Sequence, residues 1–136
     1  MTQQYEITLP SYERGYHLIT SEIKRHLKDL PKFGIINIFV KHTSAGITIN
    51  ENADPSVRDD FESIMNNIIP ENQSYFTHTF EGADDMPAHI KSSLVGQSVN
   101  IPITNHLINL GTWQGIYLCE FRNYGGRRKI IITVFS

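Results

Sequence analysis

The run Ile35-Ile36-Asn37-Ile38-Phe39-Val40 constrains the fold most. It is apolar and β-branched at nearly every position, which predicts a central strand covered on both faces. Other strands follow from simpler patterns. Tyr5, Ile7 and Leu9 alternate with Glu6 and Thr8, and Pro10 ends that strand. Tyr16–Ile19 reads as a short second strand, and Ile47-Thr48-Ile49 as another after a turn at Gly46. Val99-Asn100-Ile101-Pro102-Ile103 alternates, with Pro102 placing it near a sheet edge. Ile116–Phe121 and Lys129–Phe135 flank Asn123-Tyr124-Gly125-Gly126, a β-hairpin signal.

Three helices are predicted between these strands. Thr20 is a natural N-cap, Glu22 complements the helix dipole, and Ile23, Leu27 and Leu30 share a face until Pro31 and Gly34. Asp54 caps a second helix with Pro55 at its first position, and Val57, Phe61, Ile64, Met65 and Ile68 line one face until Pro70. Asp85-Met86-Pro87 opens the third, with Ile90 and Leu94 inward and Gly96 as its stop. Residues 71–85 have no period and are mostly polar, as expected of a functional loop. Strands outnumber helices and do not alternate with them regularly. The expected class is therefore α+β, with a mixed, mostly antiparallel sheet or sheets and about three helices in a single domain over residues 1–136.

The totals bound the function classes. With 136 residues, 40% of them apolar, the chain buries one core without a staple. A net charge of −2 argues against nucleic acid or a membrane surface as the partner. The lone Cys119 excludes an intramolecular disulfide and is expected to be a small core residue. The start of the chain lacks a basic-then-apolar leader, and no apolar run reaches the ~18 residues of a membrane span, so a cytoplasmic address is expected.

Several segments carry chemistry. His42-Thr43-Ser44-Ala45-Gly46 follows a buried strand and offers N–H groups and two hydroxyls, from Thr43 and Ser44, to an anionic oxygen. The alternative is a turn whose hydroxyls satisfy their own backbone. His78 lies near Glu81, Asp84, Asp85 and His89. Three histidines, His42, His78 and His89, each at an element end or in a polar loop, suit zinc or another divalent ion, although their spacing matches no compact zinc motif. Glu51 and Asn52 precede a helix but are not needed to cap it, which makes them site candidates. Trp113 and Gln114 occupy a glycine-framed turn. Glu120 points to the same strand face as Arg122 and needs a partner if buried. Arg122, Arg127, Arg128 and Lys129 flank the Gly-Gly turn, either as a phosphate grip or as a solvated tip. His17, His26 and His106 are expected to be structural or exposed.

Taken together, His42-Thr43-Ser44-Ala45, Asn50-Glu51-Asn52-Ala53-Asp54-Pro55, the string from Glu81 to Leu94 preceded by His78, and Leu110-Gly111-Thr112-Trp113-Gln114-Gly115-Ile116 resemble the YjbQ-like family, known as the secondary thiamine-phosphate synthase family. The resemblance covers nearly the whole chain. It implies a compact α+β subunit with a mixed sheet, a homotrimer, and a weak activity joining hydroxymethylpyrimidine diphosphate to a thiazole phosphate with release of pyrophosphate. It also implies His42, Glu51, Gln114 and Glu120 as catalytic candidates, Asn52 and Arg128 as substrate or phosphate ligands, and His42, His78 and His89 as metal ligands. His106 stands where the family pattern suggests a glycine. The expected cofactor is a divalent ion, zinc or magnesium, with no organic cofactor. Metal-assisted hydrolysis by the same histidines is the alternative enzymatic reading. A non-catalytic binder of a phosphorylated metabolite or a protein partner is the third.

Overall fold

The computed structural model describes residues 2–136; Met1, where the leader reading begins, lies outside the described residues. The elements are β1 (Thr2–Ser11), β2 (Gly15–Leu18), α1 (Thr20–His26), β3 (Phe33–Val40), β4 (Ala45–Glu51), α2 (Pro55–Ile68), α3 (Asp85–Val95), β5 (Ser98–Thr104), β6 (Leu107–Ile108), β7 (Gln114–Glu120) and β8 (Arg127–Phe135). They form a five-stranded sheet in the order β1-β8-β3-β5-β6 and a three-stranded sheet in the order β2-β7-β4. The α+β class with three helices holds. Every strand pairing among the described residues is antiparallel, so the sheets are not mixed.

The sheets stack with one apolar core between them. Ile7, Leu9, Ile36, Ile38, Val40, Ile101, Ile103, Ile130, Ile132 and Val134 face it from the larger sheet, and Ala45, Ile47, Ile116 and Leu118 from the smaller, with Ile19 and Ile23 closing one end. The pairings Ile36↔Ile101 and Ile38↔Ile132 keep these β-branched side chains in one layer. A second core of Tyr16, Ala88, Tyr117, Cys119 and Phe121 lies on the other face of the smaller sheet, where Phe61 and Met65 of α2 and Val95 of α3 pack against it. The order of layers is therefore large sheet, small sheet, helices.

Several expectations change. β3 is central in its sheet, but it is covered on one face only: Phe33, Ile35 and Phe39 are exposed. The strand buried on both faces is β7, where Gly115–Glu120 are all buried. β7 and β8 do not form a hairpin. They belong to different sheets, so the Gly125-Gly126 turn crosses between layers. α1 starts at Thr20 but has no side-chain cap; the Thr20 hydroxyl instead accepts from the Ile116 N–H. That helix ends at His26, and Leu27 and Leu30 reach the core from the loop after it. α2 begins as expected, with the Asp54 carboxylate accepting the Ser56 N–H at 2.9 Å. Its predicted inward row is only half covered, because Ile64 and Ile68 are exposed.

α3 turns the opposite way from its apolar pattern. Asp85, Ala88, Lys91 and Ser92 are buried, whereas Ile90 and Leu94 are exposed. Two contacts set this rotation. The Ser92 hydroxyl donates to Ala45 O at 2.7 Å, and Gly46 lets the end of α3 come close, since a Cβ there would sit 3.0 Å from Gly96 O. The buried Lys91 ammonium donates to Asn66 Oδ1 at 2.7 Å, which compensates part of its desolvation. The rotation also carries two carboxylates, Asp84 and Asp85, into the protein at the start of α3.

Candidate functional site

The start of α3 gathers charge. Asp84 and Asp85 are buried, and Arg122, two residues past the end of β7, reaches both. Its Nε donates to Asp84 Oδ2 at 2.8 Å, one terminal nitrogen to Asp85 Oδ1 at 2.5 Å, and the other to Glu81 O at 2.8 Å. The Asn123 N–H also donates to Asp84 at 2.9 Å. Burial raises the carboxyls of both aspartates. For Asp84, the Asn123 N–H and Arg122 outweigh burial; for Asp85, the His78 hydrogen bond and the charges of His89 and Arg122 do so. Both are held below the ordinary carboxylate value and are ionised at neutral pH.

Arg122 occupies one oxygen of Asp85 and leaves the other to two imidazoles. His78 Nε2 lies 2.6 Å from Asp85 Oδ2, and His89 Nε2 lies 3.1 Å from the same atom. His89 is one helical turn beyond Asp85, the i,i+4 spacing that puts two side chains on one helix face. His78 comes from the polar loop, and its ring centroid is 5.3 Å from that of His89. One ligand atom from each of His78, Asp85 and His89 lies within 4.8 Å of the others.

The hydrogen bonds of His89 fix its proton. Its Nδ1 lies 2.9 Å from Thr43 O, a pure acceptor, so Nδ1 carries a proton. In the neutral ring, Nε2 then has only a lone pair, yet it faces the Asp85 carboxylate. Positive charge is required between them, either a second proton on the ring or a cation. A neutral His78 donates its own Nε2–H to Asp85, so a second proton on His89 completes two hydrogen bonds to the same oxygen. A divalent ion satisfies both imidazoles and the carboxylate together, and a backbone carbonyl holding the far nitrogen is the usual support of a metal-binding histidine. The donor set fits such an ion.

The other sequence candidates are placed elsewhere. His42 is not in this group, and Asp85 takes the position expected of a third imidazole. His42 Nε2 accepts the Lys129 N–H at 2.8 Å, which ends the β3–β8 ladder with a side chain. Arg128 and Glu120 are buried against each other between the sheets, so neither a phosphate grip nor a catalytic carboxylate is presented there. Ser44 is buried, and its hydroxyl accepts from Arg128 at 3.0 Å; Thr43 contributes its carbonyl to His89. Glu51 is a cap after all, its carboxylate accepting the Asp54 N–H at 3.0 Å. Asn52 donates to the Thr112 and Gln114 carbonyls, and Gln114 Oε1 accepts the Gly111 N–H, so both build the turn that exposes Trp113. Asn52 and Gln114 also line a separate groove of about 380 Å³ with Thr20 and Lys24. His106 is exposed at φ +67°, a left-handed conformation that favours glycine. Arg122 and Asp84 carry the site without a periodic signal; the pointers are the nearness of Asp84 to the histidines along the chain and the place of Arg122 among the basic residues flanking the Gly-Gly turn.

His42 yields a pH prediction. Burial and the neighbouring Arg128 charge hold its imidazole below the ordinary value. The unfolded ring titrates near pH 6.5, roughly the free value. The unfolded chain therefore binds the proton first, so the His42 contribution to stability is complete above about pH 6.5 and is lost as pH falls toward the folded value. His42→Gln keeps an acceptor for Lys129 and cannot titrate. Its urea midpoint is expected to fall less than the parent's between pH 7 and 5, from a starting stability within about 1 kcal/mol. Parallel decline of the two proteins excludes this role for His42.

The geometry defines a class: a two-sheet α+β domain with a helix layer that carries a His-Asp-His cluster braced by arginine. The chain belongs to the UPF0047 protein YjbQ-like family, whose model matches residues 5–136. It is 49% identical to UPF0047 protein YjbQ of Salmonella typhimurium and 47% identical to that of Escherichia coli O157:H7, each over 98% of both chains. A crystal structure of an uncharacterized conserved protein of the YjbQ/UPF0047 family from Clostridium acetobutylicum is 36% identical with a TM-score of 0.79, covering 98% of this chain and 99% of that one. A conserved hypothetical protein from Thermus thermophilus is 29% identical with a TM-score of 0.84, covering 94% of this chain and 97% of that one. No helix among the described residues is long and apolar enough to cross a membrane.

Proposed function

We propose that this chain is an enzyme acting on phosphorylated small molecules at a divalent cation held by His78, Asp85 and His89. The observation that carries the reading is His89, whose two ring nitrogens both face acceptors. Two imidazoles and one carboxylate suit zinc or a similar borderline ion better than magnesium, which prefers an all-oxygen shell. When bound, such an ion supplies charge stabilisation to a phosphate or pyrophosphate group. Asp85 is kept ionised and aimed by Arg122, and Thr43 O holds His89 with Nε2 toward the same point.

The finer reading is the thiamine-phosphate synthase condensation that the family resemblance implies. The bond from the pyrimidine methylene carbon to the pyrophosphate oxygen breaks, and its electron pair leaves with pyrophosphate. The thiazole nitrogen lone pair forms the new C–N bond, so no protein base is required. His78 is half-exposed and can meet a substrate entering from solvent. The homotrimer belongs to the same reading, with Ile35, Phe39 and Phe135 on the open face of the large sheet as the contact between copies. Hydrolysis is a second reading, favoured by the nitrogen-rich donor set, which is that of water-activating zinc sites.

One assay separates these readings. Pyrophosphate release from hydroxymethylpyrimidine diphosphate is measured with zinc, manganese or magnesium, with and without thiazole phosphate. Release that depends on the thiazole supports condensation, and equal release without it supports hydrolysis. His78→Ala with His89→Ala is expected to lower either rate by about a hundredfold or more. Full activity in that double variant removes the cluster from the chemistry.

A further inference from the structure

His78 borders more than the cluster. On its other side lies a groove of about 460 Å³ between the end of α2 and the start of α3. Its walls include Ile68, Tyr75, Phe76, Met86 and Ile90, and no lysine, arginine, aspartate or glutamate lines it. Tyr75 and Phe76 meet edge to face, with centroids 5.2 Å apart. Ile68, Tyr75 and Ile90 are exposed, so substantial apolar surface stands open beside a polar cluster. The volume suits a small organic ligand, since such sites typically span roughly 300–1,000 Å³.

We infer that this groove takes the flat, uncharged ring of a phosphomonoester whose phosphate lies at the His78–Asp85–His89 end. The inference rests on the cation reading above. Charge selects the orientation. Asp84 and Asp85 carry two negative charges against the one of Arg122, whose three nitrogens are all engaged, so an anion is accepted at that end only when a cation is present. The other end offers no countercharge, so a second phosphate or a charged substituent on the ring is excluded by desolvation. The walls then set ring specificity: Phe76 and Met86 present aromatic and thioether surfaces, which pack well against a flat ring.

The test uses the full chain with zinc and without it, titrated with phenyl phosphate, inorganic phosphate and phenol. Affinities are read by calorimetry, and the methyl signals of Ile68, Met86 and Ile90 by NMR. Zinc-loaded protein is expected to bind phenyl phosphate about tenfold more tightly than inorganic phosphate, with shifts at all three methyls. Ile68→Gln with Ile90→Gln, both at exposed positions, should reduce that preference to about twofold or less and leave zinc and inorganic phosphate affinities unchanged. Equal affinity of the parent protein for phenyl phosphate and inorganic phosphate overturns the groove assignment while the cation reading stands. Absence of zinc binding, or phosphate binding that is indifferent to zinc, overturns the cation reading and the groove assignment with it.

Discussion

Asp85→Asn is expected to abolish divalent-ion binding at the cluster, with an affinity loss greater than about a hundredfold, the upper end of what a lost supporting contact costs. The amide is nearly isosteric, so the effect is electronic. Arg122 donates to one Asp85 oxygen at 2.5 Å and will keep the amide oxygen on its side. The amide NH₂ then faces His78 and His89, where the native carboxylate presents an acceptor to both. A donor in that position satisfies an imidazole lone pair directly and removes the place for a cation. Thermal unfolding with and without zinc reads the change. Zinc at a hundred times its Kd should stabilise the parent protein by about 2.7 kcal/mol, and the variant by less than about 0.4 kcal/mol. Loss of the Arg122 ion pair should also destabilise the metal-free variant by about 1–3 kcal/mol, because Asp84 remains to pair with the guanidinium. An unchanged zinc response in the variant sinks the cluster as a metal site. Arg122→Lys complements it: the charge stays, the fork that aims Asp85 is lost, and affinity should fall roughly tenfold to a hundredfold.

The fold is legible where local chemistry decides it. Alternation marks β1, the Asp54-Pro55 pair marks the start of α2, and β-branched density marks β3. Local pattern fails where a distant contact outweighs it. Ile90 and Leu94 mark an inward face by periodicity, yet α3 buries Asp85, Ala88, Lys91 and Ser92, because Arg122, Asn66 and Ala45 supply the polar partners from other elements. The Gly125-Gly126 turn has hairpin composition, but β7 and β8 each find their neighbours in a different sheet. The site follows the same logic. His78 and His89 are visible as histidines in or beside a polar, aperiodic stretch. The role of Asp85 is less so, because an acid at a helix start is already explained by the dipole. Arg122 shows its strand face and its place in the basic group beside the Gly-Gly turn, but nothing local pairs it with residues more than thirty positions earlier. Arg128 and Glu120 look functional in the sequence because charge near a glycine turn resembles a ligand grip. Only the stacking of the sheets shows that each is the other's partner.

That pair gives the second large expected effect. Arg128 Nε and a terminal nitrogen donate to the two Glu120 oxygens at 2.7 and 2.6 Å, with Glu120 fully buried and Arg128 5% exposed. The Arg122 N–H adds a third donor to Glu120 at 3.1 Å, and Gly125 closes over the carboxylate so tightly that a Cβ there would overlap it. Lys41 and Glu6 are paired at a similar 2.7 Å, but both are largely exposed, so solvent screens the pair and it adds little to stability. Burial, not distance, separates the two. Arg128→Met leaves the Glu120 carboxylate between the sheets without its countercharge and should cost about 3–5 kcal/mol, a fall of roughly 10–20 °C in melting temperature. Adding Glu120→Gln removes the stranded charge while keeping an acceptor for Arg122, so the double variant should recover most of that loss even though the ion pair is gone. Urea unfolding of the parent, both single variants and the double variant closes the cycle, and the expected coupling is favourable and larger than that of any exposed pair here. Zinc affinity should be unchanged in the double variant, because neither residue belongs to the His78, Asp85 and His89 cluster. A single Arg128→Met protein that stays as stable as its parent but no longer binds inorganic phosphate would reverse the assignment and return Arg128 to the substrate.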